Sequence, residues 1–259
     1  MCKSLSDAGD SRHYLRMLYE ARTYRNQMKA EDLEYFQVLE FESDLFIGVE
    51  RQKMTPNLPK IVTVELKKLR QAIVDYNQTH PRFIESLIPL ELDRHAAPIV
   101  CDMLTAGKIA GVGPMAAVAG GVSKYIGSLL ESSSAEIIVE NGGDLLIKTL
   151  KERRIAIHTG NSHFADLGIK IKPRVKPLGV CTSSGVMGHS LSFGKADVVT
   201  ILSENIPLAD AVATALGNRI KKPEDVEKGL AWARNIPGIL GVLIIIADQL
   251  GAWGEIELC

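Results

Sequence analysis

Apolar positions recur with two different periods along this 259-residue chain, and the change of period divides it near the middle. Phe36–Phe41 and Asp44–Val49 alternate and are separated by Glu42-Ser43, which predicts a β-hairpin. From 63 to 79, Val64, Leu66, Leu69, Ala72, Ile73 and Tyr76 fall at helical spacing with Pro81 beyond, which predicts an amphipathic helix. Pro89, Pro98 and the Gly107–Gly113 segment punctuate the middle of the chain. Met115–Leu130, rich in Ala, Gly and Val, then reads as a buried helix with close backbone approach. Beyond 136 the runs are short and strand-like: Ile137–Val139, Leu145–Ile147, Ile155–Ile157, Leu167–Ile171, Val180, Val198–Leu202 and Val242–Ala247. Helices over Pro207–Leu216 and Glu224–Arg234 interrupt them. The class is therefore α+β, with a largely antiparallel sheet and packed helices in one domain over 1–259, and without a repeat of fixed period. Residues 1–30 are polar and charged, with a weak stripe of Tyr14, Leu15, Leu18 and Tyr19, and read as a peripheral entry segment.

Composition narrows the function classes. A hydrophobic content of 46% suits a globular core. Thirty Lys and Arg against thirty-one Asp and Glu leave a net charge of −1 without a basic block, which argues against nucleic acid as a partner. The most apolar run, Ile236–Ala247, is broken by Pro237, Gly238 and Gly241 and is too short to span a bilayer. Met1-Cys2-Lys3-Ser4 lacks the apolar run of a secretory or lipoprotein leader. Cysteines at 2, 101, 181 and 259 form neither a zinc knuckle nor a disulfide framework, and a cytoplasmic location fits them.

Four segments carry candidate chemistry. In Pro207–Gly217, Asp210 and Thr214 lie one turn apart among alanines, so a carboxylate and a hydroxyl can offer two hard oxygens to Mg²⁺. The same residues also suit a first-turn acid stabilised by the helix dipole and a Thr hydroxyl bonded back to the preceding turn. Asn141-Gly142-Gly143-Asp144 reads as a hairpin turn, or as a backbone that a flat or anionic ligand approaches closely while Asn141 and Asp144 hydrogen-bond to it. Gly179–Gly194 gathers Cys181, Thr182, Ser183, Ser184, Gly185 and His189. Its hydroxyls suit phosphate, His189 suits proton transfer, and Cys181 is either a nucleophile or a buried inert thiol. Gly111 and Gly113 precede a helix and offer backbone amides to an anion, although a lone G-x-G is weak.

Taken in order, Asn141–Asp144 after a strand, the Thr182–Ser184 loop followed by His189, and Leu208–Leu216 on a helix resemble the ApbE superfamily of flavin transferases, once labelled thiamine-biosynthesis lipoproteins. With Glu42–Leu45, Val112–Gly120, Gly188–Gly194 and Ala252–Gly254, nearly the whole chain resembles a cytoplasmic ApbE-like branch of that superfamily. The resemblance implies an ApbE-like fold and places Mg²⁺ on Asp210 and Thr214, beside the pyrophosphate of FAD. It also gives Asn141–Asp144 contact with the flavin and implies transfer of FMN to a protein threonine. Val112-Gly113-Pro114 departs from the family's Lys-Gly-Tyr, and His189–Gly194 departs from its His-x-x-Asp-Pro-x-Thr-Gly loop.

The leading reading is a divalent-metal-assisted site for FAD, FMN or a similar pyrophosphate compound, with flavin-transferase or nucleotide-pyrophosphatase activity. In it Thr182–Gly185 cradle phosphate and His189 moves the proton. The alternatives are a sulfur-transfer enzyme using Cys181 and a binding module without turnover. The expected partner is a small nucleotide-like ligand, and the sequence leaves a homo-oligomer open.

Overall fold

The structure is a computed structural model that describes Arg25 and residues 30–160, 162–164, 166–185 and 194–259. β1 (Leu33–Glu40) and β2 (Ser43–Glu50) pair antiparallel across a turn in which Phe41 adopts φ 51°. α1 (Leu58–Thr79) buries Leu58, Val62, Leu66, Leu69 and Ile73, so the apolar stripe begins a turn before the predicted start at 63. After a single helical turn at Arg82–Glu85 comes α2 (Pro98–Ala110), a helix absent from the predicted elements. The residues that read as punctuation are its ends: Pro98 stands in the first turn, and Gly111 at φ 76° supplies the left-handed cap.

A 3₁₀ turn, Pro114–Ala117, leads into α3 (Val118–Leu130). β3 (Ile137–Asn141) and β4 (Asp144–Thr149) form a hairpin closed by Gly142 at φ 70° and Gly143 at φ 103°. Positive φ at both central positions is what a tight two-residue turn requires, and glycine reaches it without steric cost. β5 (Arg153–Ala156) and β6 (Gly168–Ile171) make a separate small hairpin. The remaining elements are β7 (Arg174–Ser183), β8 (Val198–Ser203), α4 (Ile206–Gly217), α5 (Val226–Arg234), β9 (Ile239–Ile246) and β10 (Gln249–Gly254).

The main sheet runs β1-β2-β3-β4-β7-β8-β9-β10, and every neighbouring pair is antiparallel. The architecture is α+β, as the sequence predicts. Side chains alternate across the sheet, and both faces are covered. Leu45, Ile47, Val139, Leu146, Ile201 and Ile244 face the helices, while Ile138, Ile147, Val180, Leu202, Leu243 and Ile245 face the β5–β6 hairpin. Covering both faces explains why β9 reads as an unbroken apolar run rather than an alternating one, since each such side chain gains about 1.5–3 kcal/mol by burial. The chain after β10 docks on the hairpin: Gly168 and Cys259 exchange backbone hydrogen bonds at 2.9 and 3.0 Å.

Arg25, within the stretch read as a peripheral entry segment, is 6% exposed and ion-paired inside the fold. Among the described residues no single helix is long and apolar enough to cross a membrane. α2 and Pro114–Leu130 are bent by 106° to one another and bury Ile99, Val100, Met103, Val122 and Ile126.

Candidate functional site

Alternation along the strands sends Asn141, Asp144 and Cys181 to the helix-covered face at one end of the sheet, where α3 and α4 meet it. α4 approaches with Asn205 as its N-cap, the side-chain oxygen accepting from the Leu208 N–H at 3.2 Å. Asp210 lies one turn in, and its Oδ2 accepts from the Gly120 N–H at 2.8 Å. α3 has no cap from its own N-cap residue, Ala117, so Asp210 serves as a cap supplied by another helix. A Cβ on residue 120 would stand 2.7 Å from the Ile206 carbonyl oxygen and 2.9 Å from the Asp210 Cβ, so this approach requires glycine.

The hairpin turn completes the site. Asn141 Nδ2 donates to the Ala119 carbonyl at 3.2 Å, which ties the turn to the first turn of α3. Asp144 Oδ1 accepts from the Thr182 N–H at 3.1 Å, and the Asp144 carboxyl lies near enough to the Cys181 thiol to raise its proton affinity. Cys181 Sγ reaches the Ile206 carbonyl at 3.7 Å as well.

Asp144 and Asp210 are each 8% exposed, and among the described residues neither forms an ion pair with Lys or Arg. Burial, and then the Asp210 charge, push the Asp144 carboxyl well above the ordinary carboxylate range. Burial pushes Asp210 up to about 7 against the opposing pull of the Gly120 and Ala119 N–H groups. A pair of buried carboxylates with no Lys or Arg partner among the described residues is an arrangement suited to a shared proton or a cation. Their hard oxygens fit Mg²⁺, which takes one or two protein carboxylates and keeps its other positions for water and phosphate. Among the described residues no group of three or more His, Cys, Asp or Glu is placed to hold a metal ion, and Thr214 is half-buried one turn beyond Asp210 on α4.

Cys181 is fully buried, and burial followed by the two carboxylates pushes its thiol well above the ordinary range. A nucleophilic thiolate needs the opposite environment. Of the two readings of Cys181, the observed environment suits the buried thiol, which donates to the Ile206 carbonyl.

The other sequence-singled residues divide. Thr182 turns its side chain to the opposite face, where its hydroxyl is 3.0 Å from that of Thr200; only its backbone serves the site. Ser183 returns to the helix side, close to Gly217 at the end of α4. Ser184 is half-buried, and the Gly185 N–H is spent on the Ala196 carbonyl at 2.9 Å. His189 lies outside the described residues. Gly111 and Gly113 are not brought to the carboxylates as an anion cradle: Gly111 caps α2, and Gly113 packs so closely that a Cβ would stand 1.7 Å from the Ser86 carbonyl oxygen. Sequence reading missed Gly120, whose signal was the glycine pair Gly120-Gly121 opening a helix, and Glu140 behind the turn. A cavity of about 430 Å³ lined by Lys170, Arg174, Leu178, Leu202 and Ile256 opens on the other face of the sheet, away from this chemistry.

Residues 25–248 match the sequence profile of the family described as AbpE bacteria. A UPF0280 protein of Methanosarcina barkeri is 38% identical over 189 residues, which cover 72% of this chain and 75% of that one. One from Methanococcus maripaludis is 39% identical over 221 residues, covering 83% and 88%. Among solved structures, the flavin transferase ApbE from Vibrio cholerae superposes with a TM-score of 0.58 at 14% identity, covering 86% of this chain and 96% of that one. The Pseudomonas stutzeri flavinyl transferase ApbE, in its apo form, gives 0.54 at 16% identity, covering 86% and 94%. Likeness at these identities establishes a shared fold.

Proposed function

From the premise that this chain belongs to the AbpE bacteria family, we propose that it binds a flavin nucleotide, FAD or FMN, or a similar pyrophosphate compound together with a divalent cation, in the service of flavin transfer or pyrophosphate cleavage. The observation that carries the reading is the Asp144–Asp210 pair, two buried carboxylates joined from a strand turn and a helix with no basic partner among the described residues. Leaving such a pair uncompensated costs stability, and a site that binds a cation explains the arrangement. The fold shared with flavin transferases supports the choice of ligand.

Asp144 and Asp210 hold the cation, with Thr214 adding its hydroxyl. When bound, Mg²⁺ neutralises charge on the phosphate oxygens. Asn141, fixed by the Ala119 carbonyl, and the side-chain-free Gly142-Gly143 backbone present hydrogen-bonding groups to a flat ring system without a steric barrier. Ser183, beside Gly217, and Ser184 next to it in sequence offer hydroxyls to phosphate, and His189 on the following segment is the proton-transfer group.

Differential scanning fluorimetry with FAD, FMN, ADP and ATP, each with and without Mg²⁺, tests this reading. A ligand at 100 times its Kd stabilises the folded state by about 2.7 kcal/mol. The expected result is a rise in Tm with a flavin nucleotide that depends on Mg²⁺ and disappears in Asp144→Ala. Equal Tm values under all conditions would remove the nucleotide assignment.

A further inference from the structure

Behind the hairpin turn, on the face of the sheet away from α3 and α4, lies a second charged cluster that the proposed chemistry does not use. Arg25 donates through Nη1 to both carboxylate oxygens of Asp44 at 2.8 Å and through Nη2 to the Asp44 carbonyl at 2.9 Å. Its Nε reaches Glu140 Oε2 at 2.6 Å, and its guanidinium stands over the Phe46 ring, 5.5 Å from the centroid. Gln37 Nε2 donates to Asp44 Oδ1 at 2.7 Å from the neighbouring strand. Glu140 is fully buried, and its second oxygen, Oε1, accepts from the Gly143 N–H at 2.9 Å.

That last bond joins the two clusters. Gly143 sits at φ 103°, and the space where its Cβ would stand has no atom within 4 Å, so no side chain packs against the turn on that side. The turn carries Asn141 at one end and Asp144 at the other. One group that holds the Glu140 carboxylate is the Arg25 guanidinium, which Asp44 in turn fixes through its carboxylate at Nη1 and its backbone carbonyl at Nη2. We infer that Arg25 is a positioning residue: clamped by Asp44, it fixes Glu140, and through the Gly143 N–H it sets the turn that carries Asn141 and Asp144. Its bearing on cation binding rests on the proposed Asp144–Asp210 cation site. Partners one step behind a metal ligand commonly govern affinity in this way.

The test uses the full chain with Arg25→Lys, which keeps the charge and loses the fork, and Asp44→Asn, which keeps the shape, loosens the clamp and is the milder change for folding. Amide hydrogen exchange at Gly143 is followed by NMR, and Mn²⁺ affinity by calorimetry. Both variants are expected to speed Gly143 exchange while Val199 and Ile244 in the central strands stay protected, and to weaken Mn²⁺ binding by about 10- to 100-fold. Wild-type exchange at Gly143 in both variants would overturn the inference, as would a loss of protection spread evenly over Gly143, Val199 and Ile244, the mark of a merely structural staple. If the wild type binds no Mn²⁺, the cation site falls, and Gly143 exchange alone decides for or against the positioning role.

Discussion

Asp210 holds two roles that pull its charge state in opposite directions. As the cap of α3 it accepts N–H bonds that favour the carboxylate, while burial next to Asp144 favours the acid. The second effect prevails, because the pair's proton affinity in the folded state lies above the ordinary 3.8. Between that value and about 7 the cation-free folded protein therefore holds more protons than the unfolded chain, and its stability falls as pH rises. Asp210→Asn keeps an oxygen for the Gly120 N–H and removes the facing charge. The variant without cation should lose less stability than wild type between pH 4.5 and 8, an expectation set by that pKa window. It should also gain nothing from Mg²⁺ at pH 8, where the wild type gains. Parallel melting curves for the two proteins across this range would end the paired-carboxylate account. At this scale Asp210, Asn141 and Asp144 were legible because acids and amides among small residues stand out. The state of Cys181 was not, since its burial and its acidic neighbours come from strands and a helix distant in sequence.

Among the elements, the junction of α3 and α4 is the most constrained. Gly120→Ala would press a methyl against the Ile206 carbonyl and Asp210, so the helices must part or the Asp210 cap must break. The expected cost is about 1–3 kcal/mol, read by chemical denaturation, together with a loss of the Mg²⁺-dependent rise in Tm. An unaltered denaturation midpoint and Mg²⁺ response would show that the close approach is dispensable. The helices at 58–79 and 206–217 and the strands of the second half before β10 were legible because their periodicity is long or their apolar runs are dense. α2 was not, because Pro98 and Gly111 signal helix ends as readily as loops, and Gly107 interrupts the stripe between them. β10 was missed for a related reason: with Gly251 and Gly254 it has little strand propensity of its own and takes its conformation from β9, after a turn in which Ala247 adopts φ 53° and donates its N–H to Asp197.

At the scale of the whole molecule, a sheet covered on both faces gives two separate apolar layers, and the charged clusters lie on opposite faces of it, meeting at the β3–β4 turn. Sequence reading saw the helix-side cluster and missed the other, because Asp44 and Glu140 are brought together by the pairing of β2 with β3 and Arg25 reaches them from outside the strands through its side chain. The helix-side cluster is gathered from four distant stretches: Ala119-Gly120, Asn141–Asp144, Cys181-Thr182 and Asp210. Contacts so far apart in sequence are costly to close and form only when all four stretches are docked, which places them late on the folding route. A cation held by Asp144 and Asp210 would then grip the native state and not the folding transition state, and would act as a brake on opening. In stopped-flow experiments Mg²⁺ should slow unfolding in denaturant while leaving the refolding rate unchanged. Refolding accelerated by Mg²⁺ with unfolding unaffected would place the Asp144–Asp210 contact in the folding nucleus instead.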